Sequence, residues 1–339
     1  MKYFVGLDVS LQETFITILS SEGEVVTEKS VLTEVDDIVD FLLSQNLTYE
    51  KLGIESGQLS IHLCKGLTKS GLNAICVDAR HMSRLLSAKK VNKNDRNDAL
   101  GIADMIRVNL YKEVKIKSDE SCQIKILLGG RRQLVGVRQQ TMATIRGLLK
   151  IQGIKIKPRI NFNQTVIDNL LKNVNDKMIK LTIKSLLDAL RQIESSLLEL
   201  DQAAIKLCKN DEDCKLLTTI PGVGVVTAMT YKSTLDGAAR FKDSSLVGAY
   251  MGLTPKQYAS GEIDRHGSIS KMGPKECRTM LYEAAQCLLI RSKKKSKLRS
   301  WGLKLKKKKG NKKAITATAR KLAVIMHQML IDRKEFCYQ

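Results

Sequence analysis

Four carboxylates and one serine carry the chemistry this chain could perform. Asp95 and Asp98 stand three residues apart in Lys93-Asn94-Asp95-Arg96-Asn97-Asp98-Ala99-Leu100, at the start of a helical pattern, so they share one helical face. Such a pair commonly serves the helix dipole, and Asn94 or Asp95 would suit an N-cap. Asp8 in Val5-Gly6-Leu7-Asp8-Val9 and Glu55 after Leu52-Gly53-Ile54 give the pair another meaning. Four acids, each at the end of an apolar element, read as a metal cradle. Phosphodiester chemistry uses such a cradle: two divalent cations about 4 Å apart activate the attacking oxygen and stabilise the leaving one. Carboxylates without His or Cys suit Mg2+, so Mg2+ is the expected cofactor, as two ions.

Periodicity supplies the elements that must position these acids. Residues 3–9, 15–19 and 25–28 read as strands, with Ser20-Ser21-Glu22-Gly23-Glu24 as a turn. Residues 35–47 have helical spacing, 52–54 form a short buried strand, 59–70 a helix and 73–77 a further strand. Three strands, helix, strand, helix, strand, helix is the order of an α/β ribonuclease-H-like domain. That architecture has one acid on the first strand, a second at the end of the fourth and others on the last helix, the places of Asp8, Glu55, Asp95 and Asp98. The rival for Gly6-Leu7-Asp8 is an actin-like ATPase, whose Asp precedes a glycine-rich phosphate hairpin; here Val9-Ser10-Leu11-Gln12 follows.

The charge points to a polyanion. Net charge is +22 over 339 residues, which places nucleic acid first among partners and an acidic membrane surface second. Arg84, Lys89 and Lys90 lie between Asp78 and Asn94, either as a solvated loop or as phosphate contacts leading to the acids. From Glu283 to Asp332 no acid intervenes, and fifteen Lys or Arg fall between Arg291 and Lys321, including Lys306, Lys307, Lys308 and Lys309. Helical apolar spacing at Trp301, Leu303, Leu305 and residues 315–330 makes this run a folded basic surface rather than a free arm. Eight cysteines without a Cys-x-x-Cys argue against zinc and for reduced, buried thiols. With 43% hydrophobic residues, no basic leader and no apolar run of membrane-spanning length, a soluble intracellular protein of about two domains is expected.

From residue 123 the pattern is helical for about ninety residues, with a break near residues 153–163. Ile179, Ile183, Leu186, Leu190, Ile193, Leu197, Leu200, Ala204 and Leu207 step at the 3.5-residue period of a coiled coil, and Leu127, Leu134, Val137, Thr141, Ile145 and Leu148 form a looser stripe. Either two antiparallel helices of one chain or a coiled coil between subunits satisfies both stripes. Thr219-Ile220-Pro221-Gly222-Val223-Gly224 has the form of a helix-hairpin-helix turn, in which Gly222 and Gly224 offer backbone N–H groups to a phosphate. An ordinary Gly/Pro connection reads the same way. Residues 250–273 read as loops, with Ser260 in a Ser-Gly step followed by Arg265 and Lys271, both assigned to nucleic acid. Spacing alone does not set Ser260 above Ser268 or Ser270.

Taken together, Gly-Leu-Asp-Val, Ile-Glu-Ser-Gly, Asn-Asp-Arg-Asn-Asp-Ala, Pro-Gly-Val-Gly, Gly-Leu-Thr-Pro and Tyr-Ala-Ser-Gly, in this order and spacing, resemble the DEDD-type insertion-sequence transposases over nearly the whole chain. The resemblance implies a RuvC-like domain over residues 1–112, a helical coiled-coil region over 113–210 and a mostly α C-terminal transposase domain over 211–339. It implies Asp8, Glu55, Asp95 and Asp98 as the metal-binding acids and Ser260 as a nucleophile that joins DNA covalently before strands are exchanged. It further implies double-stranded donor and target DNA, a structured bridge RNA as guide, a homo-oligomer (dimer or tetramer) and a prokaryotic cytoplasm or nucleoid. The alternative is a metal-dependent nuclease of the Holliday-junction-resolvase kind, using the same acids with water; such an enzyme has no need of Ser260.

Overall fold

Strand alternation in the N-terminal part is interrupted by glycines at Gly6 and Gly53, and the fold shows why. The computed structural model describes residues 1–83, 94–156, 164–172, 174 and 176–338, and the chain divides into two units, Met1–Lys117 and Ser118–Gln339. In the first, Tyr3–Val9 (β1), Glu13–Leu19 (β2) and Val25–Leu32 (β3) form an antiparallel meander. Val35–Ser44 (α1), Tyr49–Glu55 (β4), Ser60–Lys69 (α2), Ala74–Val77 (β5) and Asp95–Arg107 (α3) follow. The sheet order is β3-β2-β1-β4-β5, with β4 parallel to both β1 and β5. The result is a mixed sheet.

Period-2 alternation assigns the two sheet faces. Val5 and Leu7 of β1 and Leu52 and Ile54 of β4 are buried with Ile38 and Leu42 of α1 and Leu63 of α2. The other face of the same two strands carries Gly6 and Asp8, and Gly53 and Glu55, and it receives α3. Gly6 pairs with Gly53 across the parallel ladder. A Cβ on Gly6 would stand 2.0 Å from the Ala99 carbonyl oxygen and 2.6 Å from the Ala103 nitrogen; one on Gly53 would stand 2.9 Å from Ile102 Cγ2. The paired glycines form a flat saddle on which α3 rests by its backbone, the close approach that a strand glycine permits.

The second unit is mainly helical. It comprises Asp119–Ile151 (α4), Gln164–Lys172 (α5), Lys177–Lys209 (α6), Glu212–Thr218 (α7), Val225–Leu235 (α8), Ser245–Tyr250 (α9), the hairpin Pro255–Ser260 (β6) and Ile263–Ile269 (β7), then Lys275–Ile290 (α10), Lys297–Lys309 (α11) and Asn311–Asp332 (α12). Helices α4 and α6 pack antiparallel within the chain: Ile145 and Leu149 meet Ile183 and Leu187, while Ile124 and Leu128 join the cluster of Ala204 and Cys208. The buried line of α6 runs Ile183, Leu187, Leu190, Leu197, Ala204 and Cys208, whereas Leu207 is 48% exposed. This line shares every seventh residue with the apolar stripe but takes the following position at i+4. Asp201 falls on it and binds Arg131 of α4.

Helix α8 is buried all round, from Thr227 to Leu235 apart from Lys232, and the Tyr231 hydroxyl donates to the Ala323 carbonyl of α12. Its end is closed by Asp236 in the left-handed region (φ 52°). The Asp236 carboxylate, 7% exposed, accepts the Ser118 N–H and the hydroxyls of Ser118 and Ser121 at the start of α4, where a negative charge suits the helix dipole. Lys232 binds both Asp211 and Glu120. Burial alone would raise the Asp211 carboxyl; the Lys232 ammonium and the Cys214 N–H outweigh it and hold the group below its ordinary value. Cys64, Cys76, Cys208, Cys214 and Cys277 are buried free thiols. Among the described residues no helix is long and apolar enough to cross a membrane.

Candidate active site

The parallel strands β1 and β4 end side by side, with Leu7 paired to Ile54, so the next residues, Asp8 and Glu55, emerge as neighbours at their carboxyl ends. Ends of parallel strands are where α/β sheets place their ligands. Asp98 precedes Ala99, whose carbonyl rests on Gly6, and the glycine saddle thus lowers the first turn of α3 toward the two strand-end acids. Asp8, Glu55 and Asp98 line one open cleft of about 390 Å³ with Ser10, Ser56 and Ser60. The loop between is fixed by local bonds. Ser56 N–H donates to Val77 O (2.9 Å), Ser56 Oγ accepts from Ala79 N–H (3.1 Å), and Ser60 Oγ donates to Gly57 O (2.9 Å).

Asp95 is exposed and lies outside that lining, one helical turn before Asp98. It is not the N-cap: Asn94 accepts the Asn97 N–H at 2.8 Å and does that work. Among the described residues no three His, Cys, Asp or Glu side chains are drawn together tightly enough to cage a metal unaided. The donors of the cleft are nevertheless all oxygen, and a hard divalent cation that keeps several waters needs only one or two carboxylates. In donor chemistry the cleft fits such an ion.

In the second unit, Ser260 ends β6 opposite Ile263, across the two-residue turn of Gly261 (φ 55°) and Glu262. The stretch that reads as loops is a β-hairpin, and all its strand residues except Ile269 are exposed. Arg265 stands on β7, and Lys271 follows it in the left-handed region (φ 56°), its N–H bound to Gly252 O. Gly222 (φ 93°) packs on α10, where a Cβ would meet the Ala284 carbonyl at 2.6 Å, so its glycine serves a close helix approach. Gly224 is exposed at the N-cap of α8 with open space around it. Lys306, Lys307, Lys308 and Lys309 form the exposed last turn of α11, which Gly310 (φ 81°) closes before α12. Cations near a helix C-terminus are favoured there. Arg84, Lys89 and Lys90 lie outside the described residues.

Sequence reasoning missed Ser56 and Ser60 as cleft residues and the role of the paired glycines. The signal was present: Gly-x-Asp and Gly-x-Glu each put a glycine two positions before an acid, on the same strand face.

Residues 5–152 match the profile of the DEDD transposases of IS110 type, and residues 214–300 match that of the transposase IS116/IS110/IS902 family. The chain is 30% identical over 252 residues to the transposase for insertion sequence element IS1111A of Coxiella burnetii, covering 73% of this chain and 69% of that protein. It is 26% identical over 257 residues to a probable family 20 transposase of Pseudomonas aeruginosa, covering 74% and 75%. A shorter likeness, 26% over 155 residues, joins 44% of the chain to 48% of the pilin gene-inverting protein of Moraxella bovis. The acids of the cleft fall within the first matched region and the hairpin serine within the second. The chain therefore belongs to the DEDD-type insertion-sequence transposases of the IS110 family, enzymes that transpose and recombine DNA.

Proposed function

We propose that this transposase cuts and rejoins DNA strands with a metal-binding cleft of Asp8, Glu55, Asp95 and Asp98 and with Ser260 as nucleophile. The observation that carries the reading is the convergence of Asp8, Glu55 and Asp98 on one cleft, whose metal-ligating side-chain atoms are oxygens, at the ends of β1 and β4. That arrangement is what a RuvC-like, ribonuclease-H-like domain requires, here residues 1–112, followed by a helical coiled-coil region over 113–210 and a C-terminal transposase domain over 211–339. The cofactor is Mg2+, as two ions; when bound it polarises the phosphate and eases departure of the leaving oxygen. Ser260 Oγ gives up its proton to water and attacks phosphorus; the Oγ–P bond forms as the bond to the leaving sugar oxygen breaks, and that oxygen takes a proton from water. A hydroxyl of the exchanged strand then attacks the phosphoserine, rejoining DNA and restoring Ser260. Donor and target are double-stranded DNA, the guide is a structured bridge RNA, and the chain works as a homo-oligomer, dimer or tetramer, in the bacterial cytoplasm at the nucleoid.

A duplex carrying the element's own junction, incubated with protein, RNA transcribed from the element's non-coding flank and Mg2+, tests this reading. Wild-type protein should leave a denaturant-resistant protein–DNA adduct, and Ser260→Ala should abolish adduct and strand exchange together. Strand exchange by Ser260→Ala would overturn the serine assignment and leave water as the nucleophile.

The basic turn of α11 gives a separate expectation. If Lys306, Lys307, Lys308 and Lys309 bind phosphates, changing all four to Gln should flatten the slope of log affinity against log salt by about 0.9 for each phosphate that is no longer neutralised. A titration from low to moderate salt reads this directly. An unchanged slope would place the turn off the interface.

A further inference from the structure

The β6–β7 hairpin has two chemically different faces, and only one of them carries Ser260. Residues directly opposite in an antiparallel pair project to the same side, and each strand alternates. Tyr258 pairs with Arg265 and Ser260 with Ile263, so these four share a face. Lys256 and Gly267 join them: a Cβ on Gly267 would lie 3.5 Å from Tyr258 Cε2 and 3.8 Å from Lys256 Cβ. The reverse face pairs Gln257 with His266 and Ala259 with Asp264. There Gln257 Nε2 donates to Asp264 Oδ1 (3.0 Å), and His266 Nε2 stands 3.6 Å from Asp264 Oδ2. His266, the histidine nearest Ser260 in sequence, is turned away from it and toward an acid.

We propose that the Ser260 face of this ribbon is a docking face for one DNA strand running from the hairpin tip toward its base, with Arg265 and then Lys256 holding successive phosphates on that side of the reacting one and Tyr258 stacking on the adjacent base. The proposal rests on the reading of Ser260 as nucleophile. Charge supports it: the strand residues of this face include two cations and no acid, and neither Lys256 nor Arg265 has an ion pair among the described residues. Spacing supports it too. Arg265 is the diagonal neighbour of Ser260, with the two backbone positions roughly 7 Å apart, so its guanidinium is within reach of the phosphate next to the one that Ser260 attacks. Tyr258 is two residues from Ser260 on the same strand and 62% exposed, free to present a ring face to a base. A lone two-stranded ribbon is marginally stable in water, and a strand laid along one of its faces supplies contacts that it lacks by itself. The reverse face, with Asp264 outward, would repel phosphate.

The test compares faces. Adduct formation in the full assay should fall about 10- to 100-fold in Arg265→Ala and in Tyr258→Ala, with partial recovery in Arg265→Lys and Tyr258→Phe. Gln257→Ala and His266→Ala, on the reverse face, should stay within about threefold of wild type. All these side chains are exposed, and thermal melting confirms that the variants fold. DNA affinity measured in the Ser260→Ala background separates the two readings, because the face asymmetry in binding persists there whether or not Ser260 is the nucleophile. Equal losses from both faces, or an Arg265→Ala protein of wild-type affinity and rate, would overturn the proposal. So would losses confined to a structured RNA competitor, which would make the ribbon an RNA-binding element.

Discussion

Asp8→Asn should lower DNA strand cleavage by at least on the order of 10³-fold while leaving the fold and DNA affinity close to wild type. The substitution keeps the shape of the side chain and removes only the charge. Asp8 lies at the mouth of the cleft and outside the apolar core of β1, which is built from Val5 and Leu7. Its loss therefore acts on cation capture rather than on packing. Affinity for DNA, measured without cleavage, should hold or rise slightly, since one carboxylate fewer faces the incoming phosphates. A folded Asp8→Asn protein that cleaves at the full rate in Mg2+ would remove the metal cleft from the mechanism.

A larger effect on stability is expected at Gly6. A methyl group there has nowhere to go: the atoms it meets are the Ala99 carbonyl oxygen and the Ala103 amide, backbone of a helix that cannot yield locally. Gly6→Ala must lift α3 off the sheet, at a cost of about 3–5 kcal/mol, a large part of the stability of an ordinary domain. Gly53→Ala meets only the methyl groups of Ile102 and Ile106, which can turn aside, and should cost about 1–2 kcal/mol. Thermal melts and amide exchange of α3 give both numbers. Equal and small effects would show that the helix does not need the saddle. Cleavage should fall with Gly6→Ala even in the molecules that remain folded, because Asp98 rides on the lifted helix.

How much of this could be read in advance differed from element to element. The first unit was legible because its strands alternate and its acids sit at strand ends; the meander, the two crossover helices and the start of α3 follow from the period of the apolar residues. Helix α8 has no such signature, since a helix buried on every side has no polar face to reveal its phase. The seam of α6 was misphased for a related reason. Counting apolar residues favours Leu186 and Leu207, but Leu187 and Cys208 are the ones buried, while Asp201 on the same line stays half-exposed and pairs with Arg131. The ribbon around Ser260 was invisible as strand because both its faces are exposed, leaving no alternation of burial to detect. Its one local clue was the Ser-Gly step, whose glycine takes the left-handed conformation that a tight hairpin turn needs.

The glycine saddle also sets a timetable for biosynthesis. Strand β1 finds β2 within a few residues, but Gly6 must wait for Gly53, 47 positions on, and for Ala99, 93 positions on, before the cleft is closed. Such distant pairings pay their loop-closure entropy early and are rewarded late. The ribosome nevertheless needs roughly 8–30 s more to travel from Asp98 to Ser260, at about 5–20 residues per second, ample for the first unit to fold. Limited proteolysis of chains stalled near residue 150 would show this unit already protected. For that interval each nascent polypeptide carries a finished acidic cleft without Ser260, so on the proposed mechanism a ribosome that stalls midway releases a product that lacks the nucleophile needed to trap a broken strand.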